Sequence, residues 1–253
     1  MPTPPDAVTG AASAPTTQPV APGLGARIVA EALGTAFLLT AIVGSGFAAQ
    51  HLAPDDAGLV LAVNALTTGA ILTVLIVTLQ PISAAFNPIV TLLDRCHRQL
   101  STPETLVLIA AQLAGGLIGV VVANVMFDAS AITISGHHRA GAGTLIGEAV
   151  AALGLLLVIA VITRTGRSGK LALAVGAYIA AAIWFTSSTS FANPAVTLAR
   201  ILTDSYTGIA PGSALAFVAV QVAVVAPAYL LVRQLVPHPS LRSTSRRSVS
   251  RGP

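Results

Sequence analysis

Charged residues are scarce in this sequence: Asp, Glu, Lys and Arg make up 9% of its 253 residues, against 54% hydrophobic. No water-soluble core requires such an excess, so the solvent for most of the chain is lipid. Cysteine is scarcer still. The single Cys96 excludes an internal disulfide, and no Cys/His cluster has metal-ligand spacing, so neither a metal nor a redox cofactor is expected. The apolar stretches hold no nucleophile beside a base, which sets a membrane enzyme aside. Residues 1 to 26 lack a basic stretch followed by an apolar run and read as a disordered tail rather than a cleaved signal. The formal charge of +4 comes from short loops and the C-terminal tail, not from one amphipathic face, which argues against a nucleic-acid partner.

What the sequence has in quantity is apolar length. Crossing the hydrocarbon core takes about 20 residues, and six stretches qualify, near 27–49, 58–79, 104–127, 143–163, 170–187 and 211–235. Two shorter apolar pieces, Asn87 to Cys96 and Asn193 to Leu202, each open on Asn-Pro. Proline suits the first turn of a helix, where its missing N–H has no helical partner to lose. Both pieces therefore read as helices that start and do not span. With both termini cytoplasmic, the inner side collects eleven of the 13 Lys and Arg, leaving Arg139 and Arg200 outside.

The second half echoes the first. AEALGTAFLL, with Glu31, answers IGEAVAALGLLL, with Glu148; SAAFNPIVTLL answers TSFANPAVTLA; and AAQLAGGLIG, with Gln112, answers AVQVAVVAPA, with Gln221. The expected organisation is a tail at 1–23, a membrane domain at 24–236 with repeats at about 24–127 and 143–236, and a disordered basic tail at 237–253. Each repeat holds three spans, an odd number, so the two copies are inverted relative to each other. The half-helix N-termini, with Asn87 and Asn193, then converge at the bilayer midplane, where their dipoles repel cations.

Asn87-Pro88-Ile89 and Asn193-Pro194-Ala195, each followed by Val-Thr-Leu, resemble the doubled NPA signature of the aquaporin or major intrinsic protein superfamily. The resemblance implies an all-α fold of six transmembrane helices and two re-entrant half-helices, assembled as a homotetramer with one pore per subunit. It also implies that Glu31 and Glu148 brace the re-entrant loops. Most members of that family carry Arg directly after the second NPA, where this chain has Val196. Counting from the Asn residues, to within one position, puts the other filter residues at Thr68, Ala181 and Ser190.

A filter of Thr, Ala, Ser and Val is wide and mostly apolar, which implies passage of neutral solutes larger than water. The run FANPAVTLAR resembles a bacterial branch associated with arsenic resistance genes, so the implied function is a passive inner-membrane channel for arsenite as neutral As(OH)3, with glycerol and water as further permeants. An aquaglyceroporin or general water channel is the alternative. A secondary transporter would need Glu31 or Glu148 facing the substrate. Arg200, seven residues past Asn193 and hence about 10 Å further along the same helix, stands either at the outer vestibule or, by default, among the headgroups.

Overall fold

The computed structural model describes residues 22–236. Apart from residues 22 and 23, the expected tails at 1–23 and 237–253 lie outside the described residues. Every regular element among the described residues is helical: α1 (Leu24–Leu52), α2 (Ala57–Leu79), α3 (Pro88–Cys96), α4 (Thr102–Met126), α5 (Ala142–Arg164), α6 (Leu171–Phe185), α7 (Pro194–Ala199), α8 (Pro211–Ala223) and α9 (Val225–Leu235), with short 3-10 turns before α6 and after α7. Among the described residues, six helical stretches are long and apolar enough to cross a membrane. α3 and α7 are too short to do so.

These helices are apolar all round, as helices in lipid are. On α1, Val29, Leu33 and Phe37 follow one another at four-residue spacing and are 51–59% exposed, while Glu31, Thr35 and Leu39 on the other side are fully buried. The polar residues face inward together with apolar ones such as Leu39, and the outward side is apolar, because lipid gives an exposed leucine nothing to escape from.

With the hydrophobic effect weak between helices, close backbone approach has to hold the bundle together. α1 lies along α4, and Gly115 and Gly119 make that approach possible: a methyl group on either would collide with the carbonyls of Ala32 and Ala36. The two repeats join where α2 crosses α6. Gly69 and Gly176 face each other there, each leaving no room for a Cβ beside the other's carbonyl. The second repeat packs α5 against α6, α8 and α9.

The last span is broken. α8 ends at Ala223 and α9 starts at Val225. Pro227 explains the break, since it has no N–H to donate and its ring clashes with the carbonyl four residues back, that of Ala223.

Candidate functional site

Asn87 and Asn193 cap the half-helices. The Asn87 Oδ1 accepts from the N–H of Ile89 at 3.1 Å, and the Asn193 Oδ1 accepts from Ala195 and Val196 at 2.9 and 3.3 Å. Pro88 and Pro194 take the first helical position. The amide nitrogens reach across: Asn87 Nδ2 donates to the carbonyl of Ala192 at 2.9 Å, and Asn193 Nδ2 donates to that of Phe86 at 2.8 Å. Each repeat thus completes the other's capping residue. A carboxamide nitrogen carries two N–H groups, and one on each Asn is taken by this crossing bond.

The crossing depends on strained backbone. Phe86 and Ala192, the residues just before the two Asn, have φ of +48° and +46°, a conformation that costs an L-residue about 1–2 kcal/mol. Two carboxylates hold it. Glu31 accepts from the N–H of Ala85 and Phe86 at 2.9 and 2.7 Å and from Gln112 Nε2 at 2.8 Å. Glu148 accepts from Phe191 and Ala192, both at 2.9 Å, and from Gln221 Nε2 at 2.6 Å. The same glutamines donate to Thr91 and Thr197 on α3 and α7, at 2.9 Å in both repeats. Loop N–H groups in a span have no water to turn to, and these fully buried acids supply the acceptors.

Between the repeats runs a cavity of about 90 Å3 lined by both Asn residues. Part of the wall is a ladder on α2, Asn64, Thr68, Leu72 and Ile76, and another part is Val175, Ile179 and Ile183 on α6. Thr68, Ser190 and Val196 line it. Ala181 does not: it is exposed on the outside of α6. The lining residues of that helix recur every four positions, and two residues' displacement turns a side chain some 200° away, so Ile179 and Ile183 occupy the wall assigned to Ala181. The hydroxyls of Thr68 and Ser190 are buried with no hydrogen-bond partner among the described residues.

Arg200 departs from the headgroup reading. It is 6% exposed and lines the cavity, its guanidinium 3.7 Å above the ring of Phe191 and its Nε donating to the carbonyl of Thr207. Arg139 and Tyr206 share this mouth. Sequence reasoning treated Arg139 only as a topology charge and left Phe191 and Tyr206 out of the lumen. Arg139 Nε and Nη2 donate to the carbonyls of Gly208 and Tyr206 at 2.7 and 2.6 Å. Burial pulls its guanidinium below the ordinary value, with Tyr206 acting in the opposite sense, and an arginine in a protein stays charged.

Three comparisons bear on this architecture. Residues 22–190 match the Major intrinsic protein family. The chain is 44% identical over 222 residues, 87% of its length and 94% of the relative's, to the aquaglyceroporin AqpS of Rhizobium meliloti (strain 1021). The fold is similar to the X-ray structure of the aquaglyceroporin from Plasmodium falciparum, with a TM-score of 0.63 and 21% identity, covering 84% of this chain and 95% of that one. Six spans, two capped half-helices and the family match agree, and the chain belongs to the major intrinsic protein family of multi-pass membrane channels.

Proposed function

We propose that this protein is a passive channel of the aquaglyceroporin kind for small neutral solutes, with arsenite as As(OH)3 its principal cargo and glycerol and water as further permeants. One observation carries the reading. The hydroxyls of Thr68 and Ser190 are buried on the cavity wall with no partner among the described residues, and the two Asn amides line the same cavity. A buried polar atom without a partner calls for one. A solute with several hydroxyl groups can exchange hydrogen bonds with Thr68 and Ser190 while its other side slides along Leu72, Ile76, Val175 and Ile179. As(OH)3 and glycerol both have three hydroxyls, and the 44% identical relative is named an aquaglyceroporin.

Active coupling is disfavoured by the same geometry. Glu31 and Glu148 are the acids within the spans that a transporter would need, and both are engaged on loop N–H groups. The excess of basic residues on one side supports an orientation with both termini in the cytoplasm of a bacterial cell. The exposed apolar sides of the helices suit a homotetramer in the inner membrane.

Stopped-flow light scattering on proteoliposomes, with arsenite uptake followed on the same vesicles, tests the proposal. The expected result is arsenite and glycerol entry without a proton gradient. Val196→Arg adds a third guanidinium to the lumen, beside Arg139 and Arg200, and is expected to cut glycerol and arsenite entry about tenfold, the loss of one or two hydrogen-bonding contacts' worth of free energy, while sparing part of the water flow. Fast water flow with arsenite and glycerol excluded would return the protein to the water channels.

A further inference from the structure

Arg139 comes from the 127–141 connection and Arg200 from the end of the second half-helix, yet one short stretch of backbone gathers them. The carbonyls of Tyr206 and Gly208 receive Arg139, and the carbonyl between them, that of Thr207, receives Arg200. The ring of Phe191 carries Arg200 at 3.7 Å and Arg139 at 5.5 Å. Further bonds fix the connection in place: the N–H groups of Arg139 and Ala140 both donate to Ser213 Oγ at 3.0 Å, and Ala210 N–H donates to the carbonyl of His137 at 2.8 Å.

Two like charges held this close repel each other. Among the described residues neither has a carboxylate within ion-pairing distance. Glu148 attracts Arg200, but its oxygens are engaged by Phe191, Ala192 and Gln221. Asp204, the acid of the neighbouring loop, binds the N–H of Gly136 and stands 3.6 Å from His137. Carbonyls and a ring face orient the guanidiniums without neutralising them. Three of the N–H groups are taken by carbonyls, and both arginines line the cavity.

From this geometry we infer that Arg139 and Arg200 form a binding site for a small oxyanion at one mouth of the pore, and that an anion seated there obstructs the passage of neutral solutes. Planar guanidinium forks match the oxygens of a phosphate-like ion in pairs. The anion goes no further. Beyond the mouth Leu72, Ile76, Val175 and Ile179 line the cavity beside the neutral side chains of Thr68, Asn87 and Asn193, and a charge stripped of water there finds no cationic side chain to replace its hydration. The site is independent of which neutral solute the channel carries.

Inorganic phosphate is the probe, compared with chloride at equal ionic strength and osmolarity. In proteoliposomes of the full chain, phosphate on the side of the arginine mouth is expected to slow glycerol entry several-fold, with chloride leaving it unchanged. Arg139→Gln and Arg200→Gln are each expected to raise the half-inhibiting phosphate concentration about tenfold, the value of one charge-assisted contact. Each variant is read as its own ratio of flux with and without phosphate. Arg139→Lys keeps the charge, loses the fork and should fall between.

Titration calorimetry of phosphate on the protein in lipid-free detergent separates the soluble ion from a lipid headgroup and needs no flux. Vesicles impermeable to glycerol would therefore count against the proposed cargo and leave this site to be decided by calorimetry. Equal effects of phosphate and chloride, absence of phosphate binding in detergent, inhibition unmoved in Arg139→Gln, or phosphate itself crossing the vesicle wall would each overturn the inference. Should Arg200→Gln fail to fold, Arg139→Gln and the phosphate–chloride contrast carry the test.

Discussion

At the scale of single residues, Glu31 and Glu148 carry the greatest structural demand. Each is fully buried and accepts from two backbone N–H groups and a glutamine amide. Glu148→Gln keeps the size but replaces one acceptor oxygen with a donor, aimed at the donors of Ala192 and Gln221. At least one buried N–H then loses its partner, at a cost of about 1–3 kcal/mol for each group left unsatisfied. The expected outcome is a lowered melting temperature in detergent and a fall in solute flux at every pH. A transporter's coupling acid would behave otherwise, with the fold retained and only a pH-driven component of flux lost.

The residue scale is also where the sequence was most and least informative. The two Asn-Pro pairs and the paired Glu and Gln residues could be read directly, because each type has one physical task at a half-helix start or a buried loop. Ala181 does not reach the lumen, because the lining positions of α6 on either side of it are Ile179 and Ile183, and a displacement of two residues along a helix crosses from lumen to lipid. Arg139 and Arg200 were visible in another guise. They are the two basic residues that stand against the charge asymmetry of the loops, and they are the two that line the mouth. A cation on the disfavoured side of a membrane protein has a local reason to be there. The bonds that supply that reason join positions 67 to 69 residues apart, beyond the reach of any local pattern.

At the scale of elements, helix pairs depend on glycine at the crossings. α1 and α4 approach through Gly115 and Gly119, where added carbon meets backbone that cannot rotate aside. Gly119→Val is expected to destabilise the channel by about 3 kcal/mol or more, at the upper end of overpacking costs, seen as loss of monodisperse protein on size-exclusion chromatography. Gly143→Val, in the first turn of α5 with open space around it, is the matched control and should behave like the parent. Element lengths were legible from the apolar runs. The break at Val224 was not read from them, although its cause, Pro227, lies in the sequence, because hydropathy does not register a missing N–H.

At the scale of the whole molecule, the electrostatics of the pathway have one sign. Two half-helix N-termini meet at Asn87 and Asn193, and two guanidiniums stand at a mouth of the same cavity. A proton or metal cation meets positive potential at both places. Vesicles loaded with a pH-sensitive dye are therefore expected to hold a proton gradient while glycerol equilibrates. Dissipation of the gradient through the intact protein at a rate comparable to solute entry would count against convergent dipoles as the barrier.

The crossing bonds at the waist also bear on how such a chain is made. Asn87 finds its carbonyl partner at Ala192, and Phe86 finds its donor at Asn193. A nascent chain that has emerged only as far as its fourth helix therefore inserts a first half-helix whose tip is unfinished, its strained turn held by Glu31 alone. The tip is completed when translation delivers the matching segment from the opposite side of the bilayer. The crossing of the two half-helices is thus assembled only once both repeats are present. Before that moment neither half alone presents a finished hole to the membrane, so a cell synthesising this channel is spared a leak during its biogenesis.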